Sequence, residues 1–343
     1  MEKTREIMKT AVVILNWNGS GLLRRYLPSV LAGTDAADAA VIVVDNGSTD
    51  DSADVLHNDF PQVEVIRFSE NLGFAEGYNR AIAMLADRFE YVVLLNSDVA
   101  VRPGWVKPLA AFLDANPGYA AVQPKLISDT RRSHFEYAGA CGGFIDRNGY
   151  PYCRGRIFGV CEEDHGQYDS TADVMWASGA ALAVRSRAYL DCGGLDKDFF
   201  AHMEEIDLCW RLRLAGWKLA AVPQSVVYHL GGGSLPAENP KKTYLNFRNN
   251  LLMLYKNLPD SSRSRTLLRR RLLDTIAWAR YMASLDFRNA AAIWRAHRDF
   301  AAMRHNYDSM PRPSADLIKD RPDILTQFYI KGKKEYSRLH NSK

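Results

Sequence analysis

The chain has 343 residues, 47% hydrophobic and 24% charged, with a formal net charge of +4, which fits one large globular domain or two modest ones with a real buried core. No run of about 18 apolar residues occurs and Ala11–Leu15 is halted by Asn16, so neither a membrane-spanning helix nor a signal peptide is expected and the chain is placed in the cytoplasm. Five cysteines, odd in number and never spaced as CxxC, argue against a disulfide framework or zinc ribbon and for free thiols.

In chain order, AVVIL over 11–15 reads as a buried strand, followed by the polar loop Asn16-Trp17-Asn18-Gly19 with Ser20 as a helix cap. A helix then carries Leu22, Leu23, Tyr26, Leu27 and Val30 at helical spacing. Ala40–Val44 repeats the strand, and residues 45–50 (DNGSTD) close it in the same polar way. A second helix leads to a strand over 63–66, and Asn71-Leu72-Gly73-Phe74 with a helix over 75–86 returns the chain to the strand Tyr91–Leu95, which ends in Asn96-Ser97-Asp98. Strand, polar loop and helix recur four times, and right-handed crossovers make this a parallel sheet with all four loops on one rim.

Ligands of open α/β sheets bind outside the carboxyl ends of the strands, so those loops are the candidate site. Asp45 can accept from the ring N–H of a uracil-like base while Trp17 offers a stacking face. Asp98, at the end of a stiff buried strand, can hold a hard divalent cation that in turn holds a diphosphate. Neither GxGxxG nor GxxxxGK[ST] occurs at any of these turns, which excludes a dinucleotide or P-loop reading.

Downstream, residues 105–113 read as a helix and 120–124 as a short strand, while 135–168 shows no clear period and reads as short strands and loops. Residues 174–184 (VMWASGAALAV) read as a buried strand bent at Gly179. In 199–216, Glu204, Asp207 and Arg211 fall on one stripe of a helix, with an Asp207–Arg211 pair at i, i+4. Glu204 and Glu205 crowd two carboxylates into its first turn, where mutual repulsion raises at least one proton affinity. A strand over 226–229 delivers His229 to Gly231-Gly232-Gly233-Ser234, a loop whose bare backbone can approach phosphates. A helix over 244–255 carries Asn246, Arg248 and Asn249 as its polar exceptions.

Between 263 and 304 stand ten arginines against Asp274, Asp286 and Asp299. With +7 there and +3 beyond residue 305, the first 262 residues carry −6, so an acidic body bears a basic tail. Residues 262–305 read as two amphipathic helices that suit either an anionic membrane surface or packing on the body with a solvated basic face. No nucleic-acid motif accompanies the charge, and nucleic acid is not an expected partner.

VVILNWNG, VIVVDNGSTDDS, ENLGFAEGYNRA and LLNSDV, in that order and followed by three further matching stretches to about residue 257, resemble the successive motifs of a family 2 glycosyltransferase, most like its bacterial rhamnosyltransferase-type members. The resemblance implies the GT-A nucleotide-diphospho-sugar transferase fold: an α/β protein with a mostly parallel central sheet flanked by helices, followed here by a helical extension. It implies a catalytic domain over 8–258, with a nucleotide-binding half up to about residue 100 and an acceptor half to 258, and a basic helical extension over 259–343. By the same resemblance Asn16, Trp17, Asn18, Asp45, Asn71, Gly73, Phe74, Asn79, Asn96 and Ser97 lie along the nucleotide. Asp98 ends a DXD-type metal motif whose first Asp is here Asn96, and His229 lies by the diphosphate or ligates the metal, Mg2+ or Mn2+. Trp176, Gly179 and Arg248 fall near the sugar or acceptor. The general base falls on Glu205, an Asp in the family, with Glu204 as second choice and Asp207 grouped with them.

The implied activity is an inverting, metal-assisted hexosyl transfer from a dTDP- or UDP-sugar, dTDP-rhamnose among them, to a hydroxyl of a cell-surface glycan or lipid-linked acceptor at the inner face of a membrane. Two other classes compete. A sugar-1-phosphate nucleotidyltransferase wants a basic glycine-rich loop after the first strand, and residues 16–22 hold no basic residue. A non-catalytic sugar-nucleotide or membrane-surface scaffold would explain Asn96 and Glu205 as decay.

Overall fold

The computed structural model describes residues 9–231 and 239–339. The expected repeat is present as β1 (Thr10–Asn16), α1 (Ser20–Gly33), β2 (Ala40–Asn46), α2 (Ser52–Asp59), β3 (Glu64–Phe68), α3 (Gly73–Leu85) and β4 (Tyr91–Leu95). Strands pair in the order β3-β2-β1-β4, all parallel. Alternation across each strand feeds two separate cores. Val12, Ile14, Val43, Val93 and Leu95 pack with Leu23, Leu27 and Val55 of α1 and α2, while Ala11, Val13, Val44, Val92 and Leu94 pack with Tyr78, Ile82 and Leu85 of α3. Burial on both faces is why these strands read as unbroken apolar runs.

Beyond β4 the sheet becomes mixed. β5 (Val99–Val101), α4 (Val106–Ala115) and β6 (Tyr119–Ser128) lead to a small antiparallel sheet of β7 (Gly143–Ile145), β8 (Pro151–Cys153), β9 (Arg156–Ile157) and β10 (Val160–Cys161), built from the stretch that showed no period. After β11 (Ala172–Asp173), β12 (Ala181–Arg185) runs antiparallel between β4 and β6, so antiparallel pairs join the expected parallel ones in one mixed sheet. Only 181–185 of the expected strand over 174–184 is a strand, and the residues before it arrive as irregular backbone at the carboxyl end of β4.

α5 (Ser186–Asp191) and α6 (Glu204–Leu214) precede β13 (Lys218–His229), which is parallel to β6, shifts register between Val222 and Val226 around Pro223, and pairs His229 with Val99. A proline donates nothing to a ladder and settles at such irregularities. α7 (Pro240–Asn257), α8 (Asp260–Ala283) and α9 (Phe287–Met303) form the helical part, and the tail returns to the small sheet, where Asp146 accepts the Ile324 N–H at 3.1 Å and Glu162 that of Tyr336 at 2.7 Å. All five cysteines are free thiols. Among the described residues no helix is long and apolar enough to cross a membrane.

Candidate active site

The rim at the carboxyl ends of β1, β2, β3 and β4 is held together by its own polar side chains. Asn16, fully buried, donates to Ser48 Oγ at 3.3 Å, and Asn18 Oδ1 accepts the N–H groups of Thr49 (2.7 Å) and Asp50 (3.3 Å). Ser20 opens α1 without capping it by its side chain; its N–H is met instead by the Asp50 carboxylate at 3.1 Å. Gly47, at φ +69°, passes so close to the 70–71 backbone that a Cβ would lie 2.7 Å from Asn71 N, so this turn requires glycine. Asn71 Oδ1 accepts from Asn46 Nδ2 (3.0 Å) and Gly73 N (2.8 Å), and Phe74 packs edge-on against Tyr78 with centroids 4.9 Å apart. Within this frame Trp17 is 55% exposed, and Asp45 uses one oxygen to accept Ser48 N–H at 3.2 Å while the other makes no hydrogen bond among the described residues. A flat indole and an available carboxylate oxygen suit a nucleobase.

Asp98 follows β4 and is nearly buried, its Oδ1 3.1 Å from His229 Nε2. The pairing of β5 with the end of β13 brings the two together. On the other side of the ring, Glu136 Oε2 lies 3.3 Å from Nδ1, off the hydrogen-bonding line, and accepts the Ala138 N–H at 2.6 Å. Burial works against a charge on this ring, but Glu136 and Asp98 outweigh it and push the His229 imidazole up to about 10. Asn96 Nδ2 stands 3.5 Å from the same Nε2. The 231–234 loop falls outside the described residues beyond Gly231.

The second group of candidates reaches the same rim from the acceptor side. Asn96 N–H donates to Ala180 O at 3.1 Å, and a Cβ on the neighbouring Gly179 would sit 3.4 Å from Glu205 Cβ. Gly179 thus seats the Glu205 side chain one contact from the 96–98 turn. The loop that delivers Glu204 and Glu205 is strained: Phe200, His202 and Met203 have φ of 65°, 68° and 74°, each costing on the order of 1–3 kcal/mol. α7 holds it there. Arg248 donates to the carbonyls of Asp198 and Phe199, both at 3.0 Å, and Asn249 Nδ2 reaches those of Phe199, Ala201 and His202, each at 2.8 Å.

Three consecutive polar groups in this stretch have a buried atom without a partner: His202 Nε2, Glu204 Oε2 and Glu205 Oε2. Other buried atoms are also unpartnered, Asn16 Oδ1 and His229 Nδ1 at the rim among them, but nowhere else among the described residues do three stand within four residues of one another, and buried polar groups left unsatisfied call for an explanation. Burial lowers His202 to about 4, helped by Lys242, so its ring is neutral at physiological pH. Burial raises the Glu205 carboxyl, opposed by backbone N–H groups that include Gly179. Burial, then Glu205 and then Asp207, raise Glu204 well above the usual carboxylate range.

Four expected site residues stand elsewhere. Asn79 turns inward, where it bonds Leu195 N and O (2.9 and 2.8 Å) and Tyr189 Oη (2.7 Å), and so fixes the 192–195 loop. Trp176 is buried, its Nε1 donates to Phe144 O at 2.9 Å, and its indole fills the space that a Cβ on Gly143 would need. Asp207 is fully buried between Arg211 Nε (2.9 Å), Lys256 Nζ (2.9 Å) and Asn257 Nδ2 (2.7 Å); burial opposes its charge, but Arg211 and Lys256 hold the carboxyl below its ordinary range. Arg248 donates to the strained loop, to Asn249 and, at 3.3 Å, to Tyr244 Oη, and so acts here on the loop. Glu136 and Lys256 were not anticipated. Glu136 sits in the stretch without periodicity, and Lys256 reads in sequence as a cation in the last turn of its helix.

A sequence profile described as glycosyltransferase-like family 2 matches residues 8–250. The chain belongs to this family. Relatives include the N-acetylglucosaminyl-diphospho-decaprenol L-rhamnosyltransferase of Mycobacterium tuberculosis (strain H37Rv), 30% identical over 232 residues, or 64% of this chain and 75% of the relative. The rhamnosyltransferase WbbL of Escherichia coli K12 is 24% identical over 162 residues, 46% of this chain and 60% of its own. Among solved structures, GalNAc-T7 with UDP, GalNAc and Mn2+ superposes with a TM-score of 0.59 at 15% identity, covering 91% of this chain and 60% of that one. S. aureus TarS 1-349 in complex with UDP-GlcNAc gives 0.52 at 14% identity, over 77% of this chain and 71% of that one. At such identities the likeness is one of fold, and the fold is GT-A.

For a family 2 glycosyltransferase of this fold a divalent cation is the expected cofactor. Among the described residues no group of three or more His, Cys, Asp or Glu side chains converges to hold a metal by itself. Asp98 and His229 supply a carboxylate oxygen and an imidazole nitrogen 3.1 Å apart, with the Glu136 carboxylate 3.3 Å from the other ring nitrogen. The same two carboxylates that favour a proton on Nε2 favour a divalent cation there. A cation bound through one or two protein groups and completed by substrate phosphates is the usual arrangement for Mg2+, so these residues fit.

Proposed function

We propose that this chain is an inverting hexosyltransferase that moves a sugar from a dTDP- or UDP-sugar, dTDP-rhamnose first among the donors to try, to a hydroxyl of a cell-surface glycan or lipid-linked acceptor at the inner face of a membrane. The observation that carries the reading is Glu205: a partly buried carboxylate with an unpartnered oxygen, held on a strained loop against Gly179, next to the turn that bears Asp98. Trp17 stacks on the base and Asp45 accepts its ring N–H. Burial raises both carboxyls, and Glu205 acts in addition on Glu204, so Glu205 is the one assigned the base.

Glu205 takes the proton of the acceptor hydroxyl as that oxygen bonds to the anomeric carbon. The bond from the anomeric carbon to the diphosphate oxygen breaks with its electron pair, and the nucleoside diphosphate departs from the opposite face, so the configuration inverts. Asp98 and His229 would hold the divalent cation, Mg2+ or Mn2+, whose chemistry there is to neutralise the leaving diphosphate. Gly179 keeps Glu205 in place, and Arg248 and Asn249 keep the loop in the conformation that presents it.

The test is incubation of dTDP-rhamnose and UDP-GlcNAc with the protein and Mn2+ or Mg2+, followed by release of the nucleoside diphosphate and, with an acceptor glycolipid, by NMR of the new anomeric centre. Release of one diphosphate with an inverted product is expected. Binding without release from any donor would favour the scaffold reading.

A further inference from the structure

The exposed face of the two basic helices is built unlike the rest of the surface. Leu268, Leu272 and Ile276 recur at i, i+4 and i+8 along α8 and are 63%, 62% and 67% exposed. Leu285 and Phe287 at the turn and Trp294 on α9 are exposed as well. Between the helices lies an open groove of about 650 Å³, with Leu268, Trp278 and Trp294 in its walls and Arg271 and Arg298 beside them. Apolar area of this kind, left in water on a helix whose opposite side is already packed, marks an interaction surface.

The charges around it identify the partner. On α8, Arg265, Arg271 and Arg280 are exposed and have no ion-pair partner among the described residues. The acids of 263–304 are all engaged. Asp274 is buried between Arg270 (3.1 Å) and His297 (3.0 Å), Asp286 caps α9 by accepting Asn289 N–H at 3.1 Å, and Asp299 pairs with Arg298 and Tyr244. Asp260, in the first turn of α8, pairs with Arg263 at 2.6 Å, so among the described residues no carboxylate is ion-paired to Arg265, Arg271 or Arg280. A second copy would bring the same positive charge against it, whereas an anionic lipid surface offers negative headgroups to the arginines and acyl chains to the leucines and indoles. α8 is 24 residues long but too polar to span a bilayer, and α8 and α9 lie beyond the part that matches the family profile.

We infer that the Leu268-Leu272-Ile276 stripe, with Trp294 and the flanking arginines, docks this protein on an anionic phospholipid bilayer, the helices lying in its surface. The inference rests on the functional reading only in placing the acceptor at a membrane; the surface itself stands on exposure and charge. The experiment is co-sedimentation of the full chain with vesicles of phosphatidylcholine alone or mixed with phosphatidylglycerol, for wild type, Leu272→Glu/Ile276→Glu and Arg271→Glu/Arg280→Glu. Donor hydrolysis in solution and circular dichroism are measured on the same samples. Binding that needs phosphatidylglycerol, weakens with salt and falls roughly tenfold or more in both variants is expected, with folding and solution hydrolysis unchanged. Binding indifferent to lipid charge or to the substitutions overturns the inference, as does a dimer in analytical ultracentrifugation that the Leu272→Glu/Ile276→Glu variant abolishes. Because hydrolysis is read without vesicles, a failed catalytic reading and a failed membrane surface give different results.

Discussion

At the scale of single residues, the proposed chemistry turns on the pair Glu204 and Glu205. A base must lose its proton to act, and burial raises the Glu205 carboxyl above the usual value of 4.5. The acidic limb of kcat/KM against pH should therefore lie above that of an ordinary glutamate, and it is read from the pH profile of donor consumption with acceptor present. Glu204 makes a separate prediction about stability. Its proton affinity in the folded protein is raised above that of the unfolded chain, so its contribution is fully present below the unfolded pKa and is lost as pH rises through the folded one. Glu204→Gln should consequently raise the melting temperature at pH 8 and leave it almost unchanged at pH 4. A thermal shift of the same size at both pH values would show that burial does not act on this carboxyl as described.

At the scale of elements, the site depends on α7 gripping the loop before α6. Arg248→Ala removes charged hydrogen bonds to two carbonyls, a loss of about 1.5–3 kcal/mol, and it frees a backbone with three residues in the left-handed region. It should lower kcat with little change in nucleotide affinity, and Arg248→Lys should not restore it, since a point charge cannot replace the planar fork. Asp207→Asn leaves Arg211 and Lys256 buried without their shared carboxylate and should cost about 3–5 kcal/mol in denaturant titrations at neutral pH. Because the Asp207 carboxyl is held below its ordinary range, its stabilisation exists above the unfolded pKa and is lost as pH falls through the folded one, so wild type and variant converge in acid. Of this gripping only the Asp207–Arg211 pair at i, i+4 was legible in sequence. The helix over 244–255 showed Arg248 and Asn249 only as polar exceptions, and a left-handed Phe200, His202 or Met203 leaves no trace in residue type, unlike a glycine. The burial of Trp176 was not legible either, since the space its indole fills is left by Gly143, thirty-three residues away in the stretch without periodicity.

For the whole molecule, the parallel half was readable because strands buried on both faces leave unbroken apolar runs and each ends in a polar loop. The acceptor half was not, since β7 to β10 have two or three residues each, too few for a period to show, and Glu136 was hidden among them. What joins the halves is one antiparallel strand, β12, which sets Gly179 and Ala180 beside Asn96 and so brings Glu205 to the nucleotide rim. The most direct test of a single site made from both halves is to measure dTDP and UDP binding, with and without Mn2+, and donor turnover in the same preparations of wild type, Asp98→Ala and Glu205→Gln. Metal-dependent binding that Asp98→Ala abolishes is expected, together with a Glu205→Gln protein that binds like wild type but turns over about 10²–10⁴ times more slowly. Near-native turnover by Glu205→Gln, or unchanged metal-dependent binding by Asp98→Ala, would contradict it.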